Sequence, residues 1–140
     1  MRRKLTTTHI FETGGSFESL LVNWVPHVDV IEQDKHFVIY AELPGVAVGD
    51  IAVELQSNVL ILEGLKRDLQ LSQGYQCYYC VERAHGRFRR EIQLPNLVDI
   101  RHGEAILDNG ILRITLTRIE DRRGQSYRIP VQKSDSSRKL

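Results

Sequence analysis

The run Asp50–Gln56, DIAVELQ, sets Ile51, Val53 and Leu55 on one face and Ala52, Glu54 and Gln56 on the other. An apolar repeat of two marks a half-buried β-strand, because successive strand side chains point to opposite sides of the backbone. The same period recurs through residues 24–118. In 36–43, HFVIYAEL, the residues Phe37, Ile39, Ala41 and Leu43 share a face, and Pro44-Gly45 ends the run. After a turn at Ser57-Asn58, VLILEG (59–64) is apolar on both faces and reads as a central strand. In 88–94, FRREIQL, Phe88, Ile92 and Leu94 alternate with polar residues until Pro95 stops the strand. EAIL (104–107) meets ILRITLT (111–117) across Asp108-Asn109-Gly110. An Asn-Gly pair tolerates positive φ, so a tight hairpin turn is expected there. Short strands at this spacing, with no long helical pattern between them, predict an all-β sandwich or barrel.

The bulk properties narrow the class. A chain of 140 residues suits one domain, which buries roughly two-thirds of its unfolded surface without metal or disulfide staples. A net charge of +1 gives no whole-chain field for a polyanionic partner. Two cysteines do not make a secreted disulfide framework. The start, MRRKLTTTHIF, lacks the apolar run of a signal peptide. No stretch approaches the ~18 apolar residues of a membrane span. The expectation is a soluble, cytoplasmic protein without stable membrane insertion.

Three zones follow. Residues 1–23 are an arm without a clean period, carrying Leu5, Ile10, Phe11, Phe17, Leu20, Leu21 and Val22, with the spacing of a short amphipathic helix over 16–22. Residues 24–118 are the strand domain. Residues 119–140 are polar and charged, a flexible tail by composition, interrupted by Ile129-Pro130-Val131.

Several clusters invite a chemical reading. Cys77 and Cys80 are spaced C-x-x-C in an aromatic, strand-like setting. On a strand, positions i and i+3 point apart, and a structural zinc site needs four ligands where His85 offers only a third. Buried or interfacial cysteines are therefore favoured over a redox or zinc pair. Arg83, Arg87, Arg89 and Arg90 stand near Tyr75, Tyr78, Tyr79 and Phe88, as a nucleic-acid surface would or a charged strand edge that discourages mispairing. Parity separates these arginines. Arg90 shares the apolar face of Phe88, Ile92 and Leu94, and an unpaired charge there costs several kcal/mol. Glu82 is the nearest carboxylate, so an ion pair, across a strand boundary or between two copies, is favoured over nucleic-acid binding. The five histidines are scattered, and no phosphate-binding loop or nucleophile motif exists. No catalytic, cofactor or metal site is expected.

The tail triplet is a two-pronged plug. In extended chain Ile129 and Val131 point the same way, and Pro130 fixes φ, lowering the entropy lost on docking. Either the plug seats in a groove elsewhere or it closes its own domain as a short edge strand.

Taken in order, WVPHVDVIE (24–32), FVIYAELPGV (37–46), DIAVEL (50–55), NVLILEG (58–64), ERAHGRFRREIQLP (82–95), AILDNGILRITL (105–116) and IPV (129–131) resemble the small heat shock proteins of the Hsp20, or α-crystallin-domain, family in its bacterial and plant form. The resemblance spans roughly 24–131. It implies an immunoglobulin-like β-sandwich and an ATP-independent holdase that keeps unfolding client proteins from aggregating, as an exchanging homo-oligomer of dimers. It implies a dimerisation loop at about 65–78, whose strand inserts into a partner's sheet, with Glu82, Arg90, Tyr75 and Tyr78 at the dimer interface. It implies that Ile129, Pro130 and Val131 dock in a groove of a neighbouring dimer, for which Val53, Leu55 and Ile106 are the candidate floor. Client segments would meet Phe11, Phe17, Leu20 and Leu21 of the arm, with hand-over to ATP-dependent chaperones. The 23-residue arm is short for the family, and Cys77 and Cys80 lie outside its pattern, which leaves redox modulation of dimerisation as a hypothesis. A related sandwich, the CS-domain co-chaperone, is the alternative; it would lack the plug and stay small.

Overall fold

The computed structural model describes residues 22–67, 74, 77–95, 98–119 and 126–135, and among these the alternating sequence becomes nine strands. They are β1 (Val28–Gln33), β2 (His36–Glu42), β3 (Ile51–Gln56), β4 (Val59–Lys66), β5 (Gly86–Gln93), β6 (Val98–Asp108), β7 (Ile111–Arg118), β8 (Ser126–Ile129) and β9 (Val131–Lys133), with a 3-10 turn at Val48–Asp50. Two sheets form, ordered β1-β2-β7-β6-β9 and β5-β4-β3-β8. Neighbours are antiparallel except β6 and β9. The molecule is an all-β sandwich.

The turns occur where the backbone tolerates them. Asp108 pairs with Ile111, leaving Asn109 and Gly110 as a two-residue loop with φ of 49° and 78°. Two positive φ values match the right-handed twist of the flanking strands, as the Asn-Gly pair predicts.

Between the sheets lie the inward members of each alternating run: Phe37, Ile39 and Ala41 from β2, Val53 and Leu55 from β3, Leu60 and Leu62 from β4, Phe88 and Ile92 from β5, and Leu112, Ile114 and Leu116 from β7. β4 is flanked by β3 and β5, and Ile61 on its other face is buried too. That agrees with its apolar character on both sides.

Three features depart from the pattern-based reading. β6 begins at Val98 rather than near 104, because its first half carries a register irregularity between Asp99 and Glu104 that hides the alternation. β1 has almost no buried face; it is a sheet edge, and Val30 and Ile31 stay 42% and 47% exposed. Residues 126–133 are two strands rather than flexible tail. Composition could not show this, since the open edges of β3 and β6 supply the hydrogen-bond partners. Among the described residues no helix is long and apolar enough to cross a membrane.

Candidate functional site: a tail groove and an uncovered pairing edge

On one side of the sandwich the outer edges of β3 and β6 would both be open, one in each sheet. The tail fills both. β8 pairs with β3, setting Ile129 opposite Val53 and Arg128 opposite Glu54. β9 pairs in parallel with β6, setting Val131 opposite Ala105 and Gln132 opposite Ile106. The Ser134 amide then donates to the Leu107 carbonyl at 2.9 Å. Pro130 is the crossing point between the ladders, where its missing N–H removes no sheet bond. Ile129 is 2% exposed and belongs to the core, whereas Val131 is half-buried against it.

The proposed floor residues separate. Val53 and Leu55 point inward and are buried. Ile106 is half-buried and alternates with the inward Ala105 and Leu107, so it stands beside Gln132 on the outer side. The inward positions of β6 nearest the plug are Gly103 and Ala105. Matching EAIL as a block could not reveal which alternate residues face in.

The irregular part of β6 is pinned by a carboxylate. Asp99 Oδ1 accepts the Arg101 amide at 2.9 Å, and Asp99 Oδ2 lies 2.8 Å from His102 Nδ1. The His102 hydrogen bond, followed by the Arg101 amide, holds the Asp99 carboxyl below the usual carboxylate range. A depressed carboxyl adds stability that is complete above its unfolded pKa of ~3.9 and is lost only as pH falls through the lower folded value. The pin therefore persists at neutral pH.

At the opposite side of the sandwich β1 and β5 are the sheet edges. The chain enters here. Trp24 bridges to Phe88, their rings 5.0 Å apart. Trp24 Nε1 donates to the Gly86 carbonyl at 3.0 Å, Lys66 Nζ lies 5.7 Å over the indole, and the Arg87 amide donates to Asn23 Oδ1 at 2.9 Å.

Arg90 is half-buried on the inward side of β5, and its Nη1 donates to the Pro26 carbonyl at 3.0 Å. Its neighbour Arg89 faces outward and binds Glu63 at 2.7 Å and Glu91 at 2.9 Å. Glu82 is exposed, and among the described residues no ion pair joins it to Arg90. The Pro26 contact had no sequence signal, because a backbone carbonyl is the same at every residue.

Arg67 fastens the chain as it leaves β4. Its Nε and Nη2 donate to the two Asp50 oxygens at 2.9 and 3.0 Å, and this hydrogen bonding is the main reason the Asp50 carboxyl is held below its usual range, against the opposing effect of desolvation. On the return, Cys77, Tyr78, Tyr79, Cys80 and Val81 are all exposed, Tyr79 at 98%. The cysteines are free thiols and are not buried, since this segment joins neither sheet of its own chain. Tyr75 and the arm residues Phe11, Phe17, Leu20 and Leu21 lie outside the described residues. Among the described residues no group of three or more His, Cys, Asp or Glu side chains could hold a metal ion.

Comparison with known proteins gives one consistent result. The profile of the Hsp20/alpha crystallin family matches residues 29–132. Small heat shock protein C4 of Rickettsia felis is 32% identical over 104 residues, covering 74% of this chain and 63% of that protein. The 17.7 kDa class II heat shock protein of Arabidopsis thaliana is 31% identical over 93 residues, covering 65% of this chain and 59% of that protein, so the chain spans less than two-thirds of either relative's length. Among solved structures, a small heat-shock protein from Xylella fastidiosa, described as having a distinct high order structure, superposes with a TM-score of 0.62 at 33% identity, over 74% of this chain and 97% of that one.

Proposed function

From the premise that the chain belongs to the Hsp20/alpha crystallin family, we propose that it is an ATP-independent holdase, a cytoplasmic chaperone that binds unfolding proteins as an exchanging homo-oligomer of dimers. It has no enzymatic turnover. Its clients pass to ATP-dependent chaperones. The observation that carries the proposal is the seating of Ile129 and Val131 across two open sheet edges. A segment held by two aliphatic side chains and two short ladders can detach, and its departure uncovers apolar surface lined by Val53 and Leu55. The same groove on a neighbouring copy offers the same chemistry, so the tail links dimers when it seats in trans. Phe11, Phe17, Leu20 and Leu21 of the arm supply further apolar surface to clients.

The dimer forms at the other side. The segment that carries Tyr75 and the exposed Tyr78 pairs with the free edge of a partner's sheet, where Val30 and Ile31 of β1 await cover. Glu82 of one copy then meets Arg90 of the other. Support comes from the half-burial of Arg90 beside apolar neighbours and from the lack of a carboxylate partner for it among the described residues. Arg90→Gly removes that pairing and leaves Glu82 in the interface without a cation, a loss of about 3–5 kcal/mol when one member of a buried pair is deleted. Subunit exchange between labelled dimers is expected to accelerate at least tenfold. An unaltered dissociation rate would remove Glu82 and Arg90 from the interface.

The direct test is suppression of heat-induced aggregation of a labile enzyme without nucleotide. Light scattering is expected to fall to near baseline at a few subunits per client; no suppression at any ratio defeats the holdase reading. One observation favours a second reading. The tail seats here on its own chain, which suits a small protein-interaction module without large oligomers, one that would run as a monomer or dimer at every concentration.

A further inference from the structure

We infer that Gly103 determines which side chain the groove accepts at position 129, by leaving vacant the space that the end of Ile129 occupies. The inference rests on the reading of this groove as the tail's docking site and concerns its specificity. Gly103 lies in the irregular stretch of β6 between Asp99 and Glu104, which Asp99 pins through the Arg101 amide and the His102 ring. A Cβ built on Gly103 would stand 2.9 Å from Ile129 Cδ1, 3.3 Å from Ile129 Cγ1 and 3.1 Å from Leu116 Cδ2. Two of these three neighbours belong to the plug, although β8 and β6 lie in different sheets. The backbone itself does not demand glycine, since Gly103 is absent from the positive-φ glycines, Gly45, Gly74, Gly86 and Gly110. Space is the remaining reason. Ile129 therefore passes Val53 on its own sheet and ends against bare backbone of the other, so a side chain at 103 and a δ-methyl at 129 compete for one volume.

The competition predicts a specific coupling. In the full-length protein, Gly103→Ala should lower hydrogen-exchange protection of residues 126–133 about tenfold, because overpacking a filled site forces one partner out. Ile129→Val, which removes the clashing Cδ1, should cost only about two- to threefold. The double variant should be no worse than Ile129→Val alone, because the contested atom is gone. Protection in β4 and β5 monitors the rest of the fold. If Gly103→Ala loosens those strands as well, recovery of their protection in the double variant supports the shared volume, and no recovery overturns it. Tail protection unchanged by Gly103→Ala also overturns it, as do single effects that simply multiply, which would place the conflict at Leu116. The readout is independent of client binding, so a failed aggregation test and a failed coupling remain distinguishable.

Discussion

Replacing Ile129 and Val131 together by alanine will collapse the assembly toward dimers. Truncating a buried isoleucine to alanine costs about 2–5 kcal/mol, and half-buried Val131 adds a smaller amount. At ~1.4 kcal/mol per factor of ten, each docked tail loses roughly one and a half orders of magnitude or more in its seating equilibrium. Association also costs about 4–15 kcal/mol in lost freedom, so a single tail would hold weakly, and the proposed assembly would depend on many tails acting through effective concentration. Weakening every one together removes that multiplication. Light scattering or native mass measurement checks the result. A mass equal to that of the parent protein would show that the plug does not link dimers. The proposed dimer contact lies at the other side of the sandwich and is expected to survive, so the product should be a dimer rather than a monomer.

The second large effect is on the fold. Gly64→Ala will lower the melting temperature by about 10 °C or more, or prevent folding. Gly64 pairs with Ile51 on one side and Phe88 on the other. A Cβ there would fall on the Asp50 carbonyl oxygen, and within 2.6 and 2.9 Å of the Phe88 ring. The ring is part of the core and the carbonyl belongs to the turn that starts β3, so neither yields as a flexible side-chain end would. Overpacking alone costs about 1–3 kcal/mol, and a backbone collision adds to it, out of a total stability of about 5–15 kcal/mol. Gly49→Ala is the control, because nothing lies within 4 Å of a Cβ at that position. Matched thermal melts at equal subunit concentration decide the matter. Equal melting temperatures for the two variants would mean that β3 and β5 can separate around Gly64 without loss.

Much of this is legible in the sequence alone. The alternation in 36–43, 50–56, 88–94 and 111–117 marks the strands and their inward residues, and Asn109-Gly110 marks the tight turn. Parity alone set Arg90 apart from Arg89, and the two do face opposite sides of β5. Other features had no local signal. β1 is exposed on nearly every residue, so no apolar period announces its inner face. The first half of β6 is irregular, which conceals a strand of eleven residues. Which residues of β6 face the plug depends on which side of that strand packs against the other sheet, and a four-residue match could not separate Ile106 from Ala105.

Local sequence determined which segments extend and which face of each is apolar, because side-chain alternation is a property of the strand itself. It also marked Ile129-Pro130-Val131 as a unit that must find an apolar seat. Only the tertiary structure decided where that seat lies, with Ile129 in one sheet, Val131 in the other and bare Gly103 beneath. An edge that needs a strand, and a space that needs a side chain, arise from elements far apart in the chain and exist only once the two sheets have packed.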